Sequence, residues 1–166
     1  MLVLGLDPGL ASTGYGLVHG DGPGLKAVCY GVLRTPANTP VADRLVMLHN
    51  ALQEILERYH PDAAAVEELF FSTNARTAMV VGEARGVLLL TLAQAGVQMA
   101  EYTPLQVKQA ITGYGQADKN QVQQMVRLLL NLSELPQPDD AADALAVSIC
   151  HHHTWRTQSL VEGLSA

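Results

Sequence analysis

Two short segments of this 166-residue sequence are apolar on both faces of the β-strand that each would form. Residues 2–6 read LVLGL, and residues 62–67 read DAAAVE. A strand with two apolar faces belongs in the interior of a sheet that other elements cover on both sides. The first strand runs directly into Asp7, and the second ends in Glu67. Two interior strands therefore each end in a carboxylate.

The rest of the sequence predicts strands and helices in the order β-β-β-α-β-α-β-α-α-α. Further strands are predicted at residues 13–19, 25–34 and 97–102. Helices are predicted at residues 41–59, from Asn74 to about Ala95, from Thr103-Pro104 through Lys108, from Asp118 to Leu130, and from Asp139 to about His151. This order predicts an α/β fold in which a five-stranded mixed sheet is flanked by helices on both faces. Because no linker, repeat or low-complexity tract interrupts the chain, we expect residues 1–166 to form a single domain.

The composition argues against several classes of protein. Hydrophobic residues make up 48% of the chain and charged residues 16%, which is typical of a globular protein and not of a disordered one. The two cysteines, Cys29 and Cys150, stand in separate apolar stretches, so we expect neither a disulfide framework nor a zinc cluster. The first residues lack the basic region of a signal peptide, and no apolar run is long enough to span a bilayer. These features predict a cytoplasmic protein that does not bind membranes.

The formal net charge of −6 argues against a nucleic acid as the partner, because phosphate binding usually needs a basic surface. The objection weakens if several acids gather in one metal site, since bound divalent cations would neutralise part of the negative charge. The basic residues could then still be grouped on one face of the protein.

Asp7 and Glu67 are candidates for a shared site, because ligands of α/β sheets bind at the carboxyl ends of the strands. If the two strands are parallel neighbours, the two carboxyl groups lie side by side. Pro8-Gly9 lets the backbone turn sharply after Asp7 and lets a substrate approach closely. Glu68 is expected to point to the opposite face, by the two-residue period of a strand. Taken alone, a turn-forming aspartate and a pair of solvated strand-end acids remain alternatives.

Asp140 and Asp143 are spaced by three residues and therefore share one face of the last helix. Asp140 stands in the first turn, where the helix dipole alone favours an acid. Asp143 is surrounded by alanine and larger apolar residues, which is typical of a buried helix, and a buried carboxylate needs a partner or a metal. The nearest basic residues in sequence, Arg127 and Arg156, offer no local ion pair, so a metal is favoured over a distant arginine.

Four carboxylates gathered in this way fit Mg²⁺, a hard cation that prefers oxygen ligands. Two such ions about 4 Å apart can activate a water and stabilise the leaving oxygen of a phosphodiester. Mn²⁺ also accepts oxygen ligands and could substitute. Without metal, the carboxylates repel one another, so we expect the site to be strained or partly protonated.

Five motifs, spread in order over nearly the whole chain, resemble those of the RuvC-type Holliday junction resolvases of bacteria. They are LGLDPGLASTGYG, AVEELFFSTNARTA, GEARGVLL, PLQVKQAITGYGQADK and DDAADALAVSIC. The DxG piece alone would be weak, but the complete set is highly specific. The resemblance implies a ribonuclease-H-like fold, a homodimer, and Mg²⁺-dependent, symmetrical nicking of four-way DNA junctions in homologous recombination and repair. It also implies a branch-migration motor complex of the RuvA and RuvB type as partner.

The resemblance assigns roles to individual residues. The four acids of the family's active site match Asp7, Glu67, Asp140 and Asp143. Phe70 is implied to stack on an unpaired base at the crossover, whereas Phe71 is expected to pack in the core, the commoner fate of a phenylalanine. Lys108 and Lys119, which flank GYGQAD, are implied to contact DNA near the scissile phosphate, and Arg76 is a weaker candidate for a backbone contact. Solvated lysines on helix surfaces are the alternative.

Two further features of the sequence have more than one interpretation. Gly82 and Gly86 lie one turn apart on a predicted helix, where each costs about 1 kcal/mol against alanine, so a packing reason is expected. That reason is either contact with the protein's own sheet or, as the resemblance permits, a dimer contact. His151-His152-His153 is predicted to end the last helix, where imidazolium groups would suit the dipole. We do not expect these histidines to bind a metal.

Other functions remain compatible with the same carboxylates. The cluster could cut RNA in a hybrid, or branched DNA of another kind. An actin-like or sugar-kinase-like ATPase also opens with a strand ending in DxG, but it normally needs a duplicated domain and a second glycine-rich motif, for which 166 residues leave no space. A binding module that has lost its chemistry is the third alternative, and the presence of all four acids argues against it.

Overall fold

Five strands form one mixed sheet in the order β3-β2-β1-β4-β5. The computed structural model describes residues 1–21, 24–68 and 75–163. The strands are β1 (Leu2–Asp7), β2 (Ser12–Asp21), β3 (Gly24–Arg34), β4 (Ala63–Glu67) and β5 (Gln98–Tyr102). The predicted order of strands and the mixed sheet are therefore confirmed.

Five helices connect and cover the strands. They are α1 (Val41–Tyr59), α2 (Ala75–Gln94), α3 (Pro104–Thr112), α4 (Lys119–Leu129) and α5 (Asp139–Gly163). The prediction that the last helix ends near His151 was wrong, because α5 continues to Gly163. The sequence contains neither proline nor glycine between His151 and Gly163, so nothing in this stretch stops the helix.

β1 lies at the centre of the sheet. It pairs antiparallel with β2 and parallel with β4, and β4 pairs parallel with β5. Leu6 stands opposite Val66 in the register of the parallel pair, so the residues that follow them, Asp7 and Glu67, come to the same level. The sheet thus brings the two strand-end acids together, as their predicted parallel arrangement requires.

Hydrophobic cores fill both faces of the sheet. Helices α1 and α2 cover one face, where the fully buried side chains include Leu4, Leu6, Leu48, Leu52, Leu88 and Leu92. Helices α3, α4 and α5 cover the other, where they include Val3, Val18, Val126, Leu145 and Ile149. The predicted helices on both faces are confirmed, and the buried surface of α5 explains its alanine-rich sequence. None of the described helices is both long and apolar enough to cross a bilayer.

Glycines in the two central strands allow α5 to lie unusually close to the sheet. A Cβ atom at Gly5 would collide with the carbonyl oxygen of Ala144, and one at Gly14 with the carbonyl oxygen of Asp140. Glycine is required wherever backbone approaches this closely. The glycines that weaken β2 as a strand therefore bring the first turns of α5 over the ends of β1 and β4.

Candidate active site

The structure brings all four predicted acids to one place. Asp7, Asp140 and Asp143 each offer a carboxylate oxygen, and these oxygens all lie within 4.8 Å of one another. The carboxyl group of Glu67 shares a hydrogen bond with that of Asp7. Strands β1 and β4 and helix α5 thus contribute to one cluster, which lies at the carboxyl ends of the two strands.

The cluster is half-buried and rich in negative charge. Burial, followed by the neighbouring charges of Glu67, Asp143 and Asp140, raises the pKa of Asp7 from 3.8 to about 8. Burial also raises the pKa of Glu67, and the charge of Asp143 adds to that effect. Two carboxyl groups that are this close cannot both ionise easily, so in the absence of metal they share a proton across their hydrogen bond. The expectation of a partly protonated metal-free site therefore agrees with the structure.

Lys119 supplies a positive charge at the edge of the cluster. Its Nζ lies 3.1 Å from an oxygen of Asp143 and 3.2 Å from an oxygen of Asp139. Desolvation disfavours the charged lysine, but these two ion pairs outweigh it and raise its pKa. The pKa of Asp143 is nevertheless raised, because burial of its carboxyl group exceeds the effect of Lys119.

Asp143 has an ion-pair partner that is distant in sequence and is a lysine, not the distant arginine that was weighed against a metal. Lys119 reaches Asp143 from α4, which packs beside α5. Asp118 precedes Lys119 and caps α4 in a reciprocal arrangement with Gln121, so the start of this helix is well defined. That capping pattern is visible in the sequence, and it places Lys119 in the first turn.

Lys108 and Lys119 line a cavity of about 250 Å³ next to the carboxylates. Glu67 and Asp143 line the same cavity, which we call the lysine cleft. Lys108 stands in α3, whose start is capped by Thr103 with Gln106 in the same reciprocal manner. Both lysines are therefore positioned by well-capped helices beside the acids, and not on an unrelated surface.

Ser12 is a site residue that the sequence analysis did not single out. Its hydroxyl group donates a hydrogen bond of 2.5 Å to Asp140, which orients that carboxylate. Thr13 stabilises the turn before it, since its hydroxyl donates to the carbonyl oxygen of Gly9 at 2.5 Å. A serine after a Pro-Gly turn is common, and its partner, Asp140, lies 128 residues away, so the sequence gives no specific signal for this contact.

Two of the predicted DNA contacts, Phe70 and Arg76, and the predicted core residue Phe71 cannot be placed. Phe70 and Phe71 lie outside the described residues, between β4 and α2. Arg76 belongs to the first turn of α2, but its side chain is also outside the described part of the chain. The roles predicted for Phe70 and Arg76 therefore stay predictions.

The two glycines of α2 have no packing role within the described part of the chain. A Cβ atom at Gly82 or at Gly86 would meet nothing within 4 Å. Close contact with the protein's own sheet is therefore the wrong explanation for these residues.

The three consecutive histidines support the fold from within α5. The ring of His151 hydrogen-bonds to the Tyr102 hydroxyl at 2.9 Å, and that of His152 to the Val18 carbonyl oxygen at 3.0 Å. Burial lowers the pKa of both rings, which disfavours imidazolium. The three histidines lie within α5 and not at its end, so the helix-dipole argument for imidazolium does not apply to them.

The carboxylate cluster fits divalent metal ions. All of its donors are oxygen atoms, which Mg²⁺ and Mn²⁺ accept and which softer metals do not prefer. Burial first and the neighbouring acids second raise the pKa of Asp7, and a bound cation would offset both effects by favouring the ionised carboxylate. Asp7, Glu67, Asp140 and Asp143 are therefore the residues that would hold such ions.

Comparisons with known proteins agree with this geometry. The sequence model of the family described as crossover junction endodeoxyribonuclease RuvC matches residues 3–151. Relatives of that name from Syntrophomonas wolfei and Chloroflexus aggregans are 54% and 58% identical, covering 98% and 93% of this chain and 94% of each relative. The structure of Thermus thermophilus RuvC in complex with Holliday junction substrate is similar with a TM-score of 0.91 at 39% identity, over 95% of this chain and 96% of that one. The predicted ribonuclease-H-like fold is confirmed. The chain therefore belongs to the crossover junction endodeoxyribonuclease RuvC family.

Proposed function

We propose that this protein is a metal-dependent endonuclease that resolves Holliday junctions by paired, symmetrical nicks during homologous recombination and repair. The observation that carries the proposal is the convergence of Asp7, Glu67, Asp140 and Asp143 at the end of the central strands, in a chain of this family. A related structure from Thermus thermophilus contains the Holliday junction as substrate. Four-way junction DNA is accordingly the substrate that we propose.

The four carboxylates are proposed to hold two Mg²⁺ ions, for which Mn²⁺ can substitute. When bound, such ions lower the pKa of a water and stabilise the oxygen that leaves the phosphodiester. The carboxylates of this chain fix where the scissile phosphate must lie, and Ser12 keeps Asp140 in the orientation that it has in the structure. Nearby positive charge also favours the ionised form of Glu67, since Lys108 and Lys119 both lower its pKa.

Lys108 and Lys119 are proposed to bind phosphates on the Glu67 side of the scissile bond. Both lysines line the lysine cleft, as that acid does. Lys119 is held by Asp143 and Asp139 in the metal-free protein. Cations bound at Asp143 would weaken that ion pair and leave the ammonium group available to DNA. The lysine is therefore expected to exchange its carboxylate partner for a phosphate when the site is loaded.

The remaining contacts belong to the same proposal. Phe70 stacks on an unpaired base at the crossover, and Arg76 contacts the DNA backbone. The chain acts as a single domain in the bacterial cytoplasm, and it receives its junction from a branch-migration complex of the RuvA and RuvB type.

Symmetrical cutting requires two active sites, and we propose a homodimer that uses α2. Along this helix, Met79 and Leu90 are 68% and 55% exposed. Gly82 and Gly86 lie between them, one turn apart, and leave space for another backbone to approach. A two-fold axis beside this face would bury the exposed side chains and bring two identical sites to one junction.

Mapping of cleavage products on synthetic DNA tests the proposed function. With Mg²⁺, the protein should nick a four-way junction at two symmetry-related phosphates, and with a chelator it should not. Linear duplex and an RNA–DNA hybrid of matched sequence serve as control substrates. Faster cutting of the hybrid than of the junction would contradict the junction assignment, and ATP hydrolysis without nicking would contradict the nuclease assignment.

A further inference from the structure

A second cleft opens on the other side of the carboxylate cluster from the lysines. It has a volume of about 510 Å³, and Asp140 lines it together with Ser12, Arg44 and Thr77. We call it the arginine cleft. Glu67 and Asp143, by contrast, line the lysine cleft. The cluster therefore stands between two clefts, one lined by two lysines and the other by one arginine.

Arg44 is held in the arginine cleft by a defined set of hydrogen bonds. Its Nε donates to the Thr35 hydroxyl at 2.9 Å. The Thr35 hydroxyl in turn donates to the carbonyl oxygen of Leu10, and the Thr35 amide donates to that of Ala11 at 3.2 Å. Thr35 is buried, so this connection is shielded from water, and it links Arg44 to the loop that follows Asp7. The bond to Thr35 uses one of the five N–H donors of the guanidinium group, and the two Nη groups carry the other four.

The guanidinium group of Arg44 has no carboxylate partner in the part of the chain that the structure describes. This differs from Lys119, whose charge is already paired with Asp143 and Asp139. Arginine binds phosphate with two parallel N–H donors, and it cannot lose its charge. An oriented guanidinium beside a nuclease site is suited to a phosphate diester of the substrate backbone.

We propose that Arg44 binds a backbone phosphate of the cleaved DNA strand, on the Asp140 side of the scissile bond. The inference rests on the proposed nuclease function. The strand then runs from the lysine cleft across the carboxylates into the arginine cleft, with a cationic contact on each side. Arg44 positions the strand, and the carboxylate cluster cuts it.

Removal of one phosphate charge at a time tests this assignment. Methylphosphonate replaces a single phosphate by an uncharged group, and a set of four-way junctions carries it at successive positions on both sides of the nick. With the wild-type protein, we expect losses of about tenfold in kcat/KM and in affinity at individual flanking positions. Arg44→Ala should lower kcat/KM and affinity for the unmodified junction by about the same factor. For this variant, methylphosphonate at one of the sensitive positions should cause no further loss.

Two variants control for indirect effects. Arg44→Gln keeps a side-chain donor that can reach Thr35 but removes the charge, so it should show the same insensitivity even if Arg44→Ala is poorly folded. Arg58→Ala removes a charge from the far end of the same helix, where Arg58 lies 5.3 Å from the ring centre of Tyr59, and should behave as wild type. Lys108→Ala should stay sensitive to methylphosphonate at the position where Arg44→Ala becomes insensitive. It should become insensitive at a different position.

The result that overturns the proposal is an Arg44→Gln protein that stays sensitive to methylphosphonate at every position where the wild type is sensitive. Arg44 would then only brace the Leu10 loop through Thr35. Affinity is measured beside cleavage, so the assignment is tested even if the wild type binds junctions without nicking them. Nicking failure would contradict the proposed function alone, whereas absence of junction binding would contradict both.

Discussion

The carboxyl group of Asp7 is buried beside three other acids, and burial is the main reason that its pKa rises from 3.8 to about 8. An acid with a raised pKa keeps its proton in the folded protein at a pH where the unfolded chain has lost it. Between about pH 4 and pH 8 the folded state therefore binds more protons, and the free energy of unfolding falls as the pH rises through this window. The stability that this proton provides is fully present only below about pH 4.

Asp7→Asn should abolish much of that pH dependence in the metal-free protein, because asparagine carries no charge to bury. At pH 8 the variant should exceed the wild type in free energy of unfolding by at least about 1.4 kcal/mol, the equivalent of one pKa unit. Urea unfolding with a chelator present, at pH 5 and at pH 8, measures the difference. Glu68→Gln is the matched control, and parallel pH profiles for Asp7→Asn and the wild type would contradict the account.

Substitution of Phe70 tests the stacking role that is proposed for this residue, which lies outside the described residues. Phe70→Ala should slow junction cleavage more than it weakens junction binding, because the lost base stacking, about 1–3 kcal/mol, acts mainly where the crossover is opened. Single-turnover rates and dissociation constants on one four-way junction give the two effects. If thermal stability falls while cleavage per folded molecule is unchanged, Phe70 is a core residue.

At the scale of the elements, the sequence was sufficient where local signals decide the structure. Helix α1 has its predicted bounds because apolar spacing defines it and His60-Pro61 ends it. Asp7 and Glu67 were found because each ends an apolar strand. The contact of Lys119 with Asp143 and that of Ser12 with Asp140 were not predicted, because each depends on how segments distant in sequence pack together.

The close packing of α5 against β1 and β2 depends on the glycines of those strands, which a substitution can test. Gly14→Ala places a methyl group where the carbonyl oxygen of Asp140 lies, so α5 must shift. The free energy of unfolding should fall by about 1–3 kcal/mol, as for other overpacked sites. Cleavage by the folded fraction should fall more than tenfold, since Asp140 and Asp143 move with the helix.

Gly24→Ala is the control for that variant, because a Cβ atom at Gly24 meets nothing within 4 Å. Chemical denaturation and single-turnover cleavage are measured on both proteins. A Gly14→Ala protein with wild-type stability and activity would show that α5 does not need this close contact.

For the whole molecule, the open face of α2 carries the prediction of a dimer. Gly86→Arg should convert a dimer into a monomer without loss of monomer stability, because Gly86 makes no close internal contact and arginine is the better helix former. Analytical ultracentrifugation measures the mass, and Val46→Arg on the exposed part of α1 is the control. A Gly86→Arg protein that remains dimeric would place the interface elsewhere.

The net charge of −6 also belongs to this scale. This charge argues against a nucleic-acid partner only if the divalent cations that the clustered acids would bind are left out of the count. Four of the sixteen acidic residues converge on one site, and lysines or an arginine line the clefts on its two sides. A sequence count cannot reveal this separation of charge, because it arises when the sheet and α5 are assembled.

The central claim is that Asp7, Glu67, Asp140 and Asp143 form one divalent-metal site, and Mn²⁺ binding measured by electron paramagnetic resonance tests it most directly. The wild-type protein with bound junction should bind two Mn²⁺ ions. Asp7→Asn should lose at least one of them, while Glu68→Gln, altered one residue beyond the cluster, should keep both. Equal Mn²⁺ binding by the wild type and by Asp7→Asn would contradict the account.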